Sequence, residues 1–232
     1  LLELRPCLSV VIVARNEARR LPALLADLAR GQALLREVLV VDGGSDDGTA
    51  PLASLAGARV LLGPPGRGRQ LAAGVAASAG DWLLLLHADG RLPLDWAAAV
   101  AAAIAAGEDT AWAFDLAIDG TDPALRLVEW AVAARSRWRR LPYGDQGLQL
   151  SRRLYARAGG IRPLPLMEDL EFVLRLRQLA PIRSLGRPLR VDGRRWHRLG
   201  VWQTVLANAR LRRRWRRGVP AADLASDYYP KS

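Results

Sequence analysis

An α/β fold is what this sequence predicts: a mostly parallel sheet with helices on both faces, then a smaller α+β part and a basic C-terminal helix. Three observations carry the prediction. Short apolar runs without alternation, Leu8–Ala14 and Trp82–Leu86 above all, suit strands buried on both faces. Up to Gly107 such runs alternate with helical stripes in the order β-α-β-α-β-α-β-α, the pattern of a parallel sheet. Three of the strands stop abruptly in polar residues, Asn16-Glu17, Asp42, and His87 with Asp89. A parallel sheet brings such ends to one edge, where ligands bind.

Each element follows from local chemistry. After the strand Leu8–Ala14, Asn16 stands where a helix N-cap belongs, ahead of the stripe Leu21, Leu24, Leu25, Leu28 that Gly31 ends. Glu37–Val41 is a second strand, and Asp46 or Asp47 caps a short helix through Leu55. Ala58–Leu62 is a third, and the loop GPPGRGRQ leads to a helix from about Gln70 to Ala79. After the central strand, Pro93 and Asp95 open an alanine-rich helix closed by Gly107. Residues 111–119 make a half-buried strand, and Thr121-Asp122-Pro123 starts a helix to about Arg140. Then come the loop LPYGDQG, a short strand Leu148–Ser151, a helix Arg152–Ala158 and a helix Met167–Leu179. Two short strands near Ile182–Leu185 and Leu189–Val191 precede a helix from Val201 to Arg217 with the stripe Trp202, Val205, Leu206, Ala209. Residues 219–232 read as a loosely attached tail.

With 232 residues, half of them hydrophobic, the chain suits one domain with a sizeable core, placed here at 1–218. The lone Cys7 excludes an intramolecular disulfide and a cysteine-built zinc site, and a reducing compartment follows. No apolar run approaches the roughly 20 residues that span a bilayer. The net charge of +11 is carried almost wholly by arginine, a bias that genome composition also produces, so no nucleic-acid partner is expected. More telling is residues 193–217, where nine arginines stand among Trp196, Trp202 and Trp215 without an acid. Such a segment meets phosphates, anionic headgroups or an acidic partner, and a solvated helix face is the alternative.

His87 and Asp89 share one face of a strand end across the small Ala88. A dinucleotide site is excluded, because ARNEARR follows the first strand in place of G-x-G-x-x-G, and no Walker A loop is present. A divalent cation held by Asp89, with the His87 imidazole beside it, bridges to diphosphate oxygens; Mg²⁺ and Mn²⁺ both suit, Mn²⁺ tolerating nitrogen better. Arg67 and Arg69 can fork onto phosphate oxygens, or be solvated loop residues.

Taken in order, SVVIVARNEARRLPALL, VLVVDGGSDDGT, GRGRQLAAG, GDWLLLLHADGRLP, PYGDQGLQLSRRLYARAGG and PLMEDLEF resemble the family-two glycosyltransferases of GT-A fold. They are most similar to the small bacterial branch whose metal motif reads HAD. The resemblance covers about Ser9 to Gly200 and implies a Rossmann-type sheet and inverting transfer from a nucleotide-diphosphate sugar to an acceptor hydroxyl. It divides the chain into a nucleotide-sugar half (1–107), an acceptor half (108–200) and a basic Trp/Arg helix (201–218). It implies that Ala14, Asn16, Glu17, Asp42, Arg67, Arg69, His87 and Ala88 hold the donor. Asp89 becomes the ligand of Mg²⁺ or Mn²⁺, Asp169 of the Glu168-Asp169 pair the general base. Gly43 stands where the family's second nucleotide-binding Asp is expected. Tyr143, Asp145 and Gln146 fall where acceptor or sugar hydroxyls are met, or in an ordinary turn. Arg195-Trp196-His197 falls near the late site-closing segment of related enzymes, which makes Trp196 a sugar contact and His197 a candidate third metal ligand. Two alternatives stay open: a sugar-phosphate nucleotidyltransferase, and a non-catalytic anionic-lipid or polyanion-binding protein using residues 193–217. A transferase with a lipid-linked acceptor, cytoplasmic and peripheral on the inner membrane face, unites the first reading with the last.

Overall fold

The computed structural model describes residues 7–228. Its eight strands are β1 (Leu8–Ala14), β2 (Leu35–Asp42), β3 (Arg59–Leu62), β4 (Trp82–His87), β5 (Gly90–Arg91), β6 (Ala111–Ile118), β7 (Leu148–Ser151) and β8 (Ile182–Val191). They form one sheet in the order β3-β2-β1-β4-β7-β6-β8-β5, parallel except where β7 pairs with β4 and β6 and where β5 pairs with β8. Along β1 the side chains alternate between two cores. Val10 and Ile12 face the core that holds helices α1 (Leu21–Ala29) and α4 (Trp96–Ala105). Val11 and Val13 face the core of α3 (Arg67–Ala77), α6 (Arg152–Arg157) and α7 (Glu168–Leu179). This two-sided burial is why the run lacks alternation.

Only Ala88 and Asp89 separate β4 from β5, yet β7, β6 and β8 lie between those two strands in the sheet. The sheet therefore curls back on itself, and Asp89 sits in the step where the chain crosses the curl. Helix α5 (Pro123–Arg139), capped by the Asp122 carboxylate accepting from the Ala124 N–H at 2.8 Å, covers the β6–β8 part together with α9 (Val201–Arg216).

Several expectations are corrected. Asn16 does not cap α1, which starts at Leu21 after Arg20; it adopts a left-handed conformation, φ 55°, in the loop. The short helix α2 (Thr49–Leu55) is preceded by Gly48, with Asp47 accepting from the Thr49 N–H at 3.1 Å. Helix α3 begins at Arg67, so Arg67 and Arg69 ride on its first turn and not on a loop. The two strands expected near 182–191 are one strand with an irregular register against β6. A short helix α8 (Arg194–Leu199), which local patterning did not indicate, precedes α9.

Of the expected α9 stripe only Val205 packs on the core; Trp202, Leu206 and Ala209 are exposed, while Val201, Thr204 and Leu211 are buried. Burial of Thr204 costs little because its hydroxyl donates to the Gly200 carbonyl at 2.8 Å. The tail is no loose end over Ala221–Tyr228, which forms helix α10 with Leu224 fully buried against Leu166 and Leu211. Residues 229–232 of that expected tail lie outside the described residues. No helix among the described residues is long and apolar enough to cross a membrane.

Candidate functional site

The carboxyl ends of β1 and β4 open onto a cavity of about 480 Å³. Ala14 and Glu17 line it from the end of β1, His87, Ala88 and Asp89 from the end of β4, Arg67 and Gln70 from α3, and Arg194 from α8. Its floor is knitted from the loops after β1 and β2. The Asn16 Oδ1 accepts from the Asp46 N–H at 3.0 Å, and the Asn16 N–H donates to the Ser45 Oγ at 2.8 Å. Asp42 accepts from the Ser45 N–H at 3.1 Å and from the Ser45 hydroxyl. Asn16 and Asp42 thus brace the floor and do not line the cavity.

Gln70 has the same bracing role. Its amide donates to the carbonyls of Ala14 at 2.9 Å, which also accepts from the Gly43 N–H, and of Val41 at 2.7 Å, tying α3 to the ends of β1 and β2. A Cβ at Gly43 would stand 3.0 Å from the Gln70 Nε2. The buried glutamine occupies the space a larger residue at position 43 needs, which gives the glycine there a steric reason.

Arg194 was not singled out from the sequence, yet it links the two ends of this cavity. It pairs with the Glu17 carboxylate and lies 3.9 Å from Asp89. Glu17, 8% exposed, also pairs with Arg20 at 3.3 Å. One guanidinium thus lies between two carboxylates in a partly buried place.

A second cavity, about 220 Å³, adjoins the first through Arg67, His87 and Asp89 and brings in Tyr143, Asp145, Glu168, Asp169 and Trp196. Asp169, in the first turn of α7, accepts from the Gly144 N–H at 2.7 Å and from the Leu170 N–H at 2.7 Å. A Cβ on Gly144 would come 3.1 Å from the His87 Nε2 and 3.2 Å from the Asp169 Oδ2. The two side chains therefore flank this bare backbone, one from the metal-motif strand and one from α7. Met167, just before α7, is held at φ 65°, a left-handed conformation that costs a non-glycine residue about 1 kcal/mol or more. Strain of this kind is common where geometry is fixed for a purpose.

Burial governs the charges here. It lowers His87 to about 4, helped by the nearby Arg67 charge and opposed by Asp169, so the imidazole is neutral at pH 7. Glu168, 1% exposed, is raised to about 7 by burial and then by the adjacent Asp169 charge. Asp145 is raised to about 6 by burial, and its Oδ1 has no hydrogen-bond partner among the described residues. The Arg135 guanidinium stacks 3.6 Å over the Tyr143 ring, which fixes that ring at the cavity wall.

Besides Asn16 and Asp42, three expected site residues line neither cavity. Arg69 points elsewhere on α3, and Gln146 is a brace: its Nε2 donates to the Phe114 carbonyl at 3.0 Å and its Oε1 accepts from Ser136 at 2.9 Å. His197 is exposed, with Nε2 3.3 Å from the Asp119 carbonyl. No group of three or more His, Cys, Asp or Glu that could hold a metal occurs among the described residues. The donor set that does converge is the Asp89 carboxylate with the neutral His87 imidazole. It fits a Mg²⁺- or Mn²⁺-like cation that takes its other ligands from diphosphate oxygens and water. Local patterning also passed over Arg195 and Tyr228, which line the second cavity; Arg195 stacks 3.9 Å over the Tyr228 ring.

A family model described as glycosyl transferase family 2 matches residues 9–162. An uncharacterized glycosyltransferase of Mycobacterium tuberculosis is 39% identical over 85 residues, 36% of this chain and 37% of that protein. Its Mycobacterium bovis counterpart matches to the same extent, so the matched stretch spans a little over a third of these relatives. Among solved structures, Staphylococcus aureus TarS 1-349 superposes with a TM-score of 0.62 at 15% identity, covering 81% of this chain and 60% of that one. A mannosyltransferase from Pyrobaculum calidifontis, in complex with GDP-Man and Mn²⁺, gives 0.61 at 19%, covering 79% and 56%. Glucosyl-3-phosphoglycerate synthase from Mycobacterium tuberculosis, in complex with Mn²⁺, UDP and glucosyl-3-phosphoglycerate, gives 0.59 at 22%, covering 87% and 77%. The fold is GT-A.

Proposed function

Since the chain belongs to glycosyl transferase family 2 and is a glycosyltransferase, we propose that it moves a sugar, with inversion, from a nucleotide-diphosphate donor to an acceptor hydroxyl. The observation that carries this reading is the placement of Asp169. Its carboxylate lines the second cavity together with Asp89 and Asp145, held by two backbone N–H groups. An inverting transfer requires one such base and no second carboxylate as nucleophile.

In this reading the donor lies in the cavity of Ala14, Glu17, Arg67 and Asp89, and its sugar reaches towards Asp145 and Tyr143. The acceptor hydroxyl gives its proton to an Asp169 oxygen as its own oxygen bonds to the anomeric carbon. The bond from that carbon to the diphosphate oxygen breaks on the opposite face, and its electron pair leaves with the nucleotide. A divalent cation at Asp89, with His87 beside it, would supply charge neutralisation to the departing diphosphate. Arg67 and Arg194 reinforce that neutralisation from the chain itself. Glu168, raised to about 7, keeps its proton below neutral pH, which there leaves one negative charge on the pair and not two. The solved relatives that contain UDP or GDP-Man with Mn²⁺ support a nucleotide and metal of this kind. The partition into a donor half (1–107) and an acceptor half (108–200) belongs to the same proposal. So do a cytoplasmic location and a lipid-linked acceptor, favoured by the outward-facing Trp202 and Leu206 of α9.

A thermal-shift screen of UDP, GDP and other nucleoside diphosphates with and without Mn²⁺ tests the donor site. One nucleotide should stabilise the wild type only with metal and should lose that effect in Asp89→Ala. No stabilisation by any nucleotide in the presence of Mn²⁺ would sink the proposal.

A further inference from the structure

A third cavity, about 780 Å³, opens beside the two already described; among the described residues six arginines line it, with the carboxylate of Asp227. Arg67 is common to all three cavities, and Arg195, Leu211 and Tyr228 are shared with the Asp169 side. Among the described residues Arg194 pairs with Glu17 and Arg214 with Asp227, while Arg67 donates to the Tyr228 hydroxyl at 3.5 Å and Arg195 to the Asn208 Oδ1 at 3.3 Å. Arg198 of α8 and Arg210 of α9 are exposed on its wall. A concave surface with this imbalance concentrates positive potential, and guanidinium groups match phosphate oxygens in bidentate geometry. A donor diphosphate does not account for all of it: Arg67 and Arg194 also line the donor cavity beside Asp89, whereas Arg195, Arg198, Arg210 and Arg214 do not.

We infer that this arginine-lined cavity binds a phosphate group carried by the acceptor, and so selects anionic acceptors and turns their hydroxyl towards Asp169. The inference rests on the transferase reading for the word acceptor, while the anion site stands on the cavity alone. Helices α8, α9 and α10 build it, so the segment 194–228, beyond the residues matched by the family model, would set acceptor choice. Two sources present this chemistry, a soluble phosphorylated molecule and a lipid headgroup. Trp202 and Leu206, exposed on α9 near Arg210, would let the second source approach from a membrane surface.

The test uses the whole protein, wild type and the double variant Arg198→Ala/Arg210→Ala, whose exposed positions leave the core intact. Titration with glycerol 3-phosphate is followed calorimetrically, with UDP or the stabilising nucleotide and Mn²⁺ present so that the donor cavity is filled. In parallel, cosedimentation is measured with phosphatidylcholine vesicles with and without phosphatidic acid. A weakening of glycerol 3-phosphate binding by about tenfold or more in the double variant supports the site and a soluble acceptor. Phosphatidic-acid-dependent cosedimentation lost in the double variant supports the site and a lipid-borne phosphate. Binding of neither probe, or binding that the double variant retains in full, overturns the inference. The nucleotide and Mn²⁺ stabilisation is read separately in the same samples. Its failure counts against the transferase reading, while loss of phosphate binding with that stabilisation intact concerns the arginine cavity alone.

Discussion

Replacing Glu168 by glutamine should stabilise the protein in a strongly pH-dependent way. In the folded chain this carboxyl is 1% exposed and raised from 4.5 to about 7, first by burial and then by the neighbouring Asp169 charge. The sign follows from proton counting. Between those two values the native state keeps a proton that the unfolded chain releases, so stability falls as pH rises and the loss is complete above pH 7. At about 1.4 kcal/mol per pH unit, the interval from 4.5 to about 7 sets a ceiling of ~3 kcal/mol. Glutamine has nearly the shape of the protonated acid and does not titrate. Urea unfolding of wild type and Glu168→Gln at several values from about pH 5 to about pH 8 measures the difference. The variant should match the wild type near the acid end and exceed it by ~2–3 kcal/mol at the alkaline end. Asp145, raised to about 6, titrates in both proteins and cancels in the comparison. A stability difference that stays flat across this range, or shrinks as pH rises, would refute the assignment of Glu168 as a protonated partner of Asp169.

Three further outcomes are expected. Asp169→Asn should cut transfer by roughly 10²–10⁴-fold while leaving the metal-dependent nucleotide stabilisation in place, since the carboxylate contributes as a base; an active variant would dismiss it from that role. His197→Ala should leave the same stabilisation unchanged, because its ring faces the Asp119 carbonyl and not Asp89, and a loss of Mn²⁺ dependence would contradict that placement. Leu224→Ala, which empties a fully buried position, should cost ~2–4 kcal/mol of α10 docking, seen as faster amide exchange over 221–228. Unchanged exchange there would mean that α10 is held by other contacts.

The strands were legible because burial on both faces leaves an unmistakable apolar run, and β1 and β7 were bounded in the sequence as they are in the fold. Polar residues were harder to assign. Asn16 suits both a helix cap and a left-handed loop, since its short amide serves the backbone in either, and only the adjacent Ser45 and Asp46 decide for the loop. The loop reading of Arg67 and Arg69 followed from the glycines and prolines around them, but Gly66 at φ 138° ends the turn and the helix starts at once. On α9 most of the apolar stripe faces out, because Thr204 buries cheaply and three cores compete for the helix. Tyr228 and Arg194 carried no local signal at all. Their importance lies in what stands opposite them, 161 residues from Tyr228 at Arg67 and 177 from Arg194 at Glu17.

The same long-range logic explains why the candidate base and the metal motif meet. The curl of the sheet places β4 beside β7, and the turn leading into β7 carries Gly144 across the end of β4. There the bare backbone of Gly144 donates to Asp169 and leaves no room for a side chain against His87. A Cβ there would stand 3.1 Å from the imidazole and 3.2 Å from the carboxylate, so a larger residue requires both side chains to give way. In the proposed transfer geometry a residue with no functional group thus stands between two site side chains: its N–H holds the candidate base Asp169, and its missing Cβ leaves space for His87.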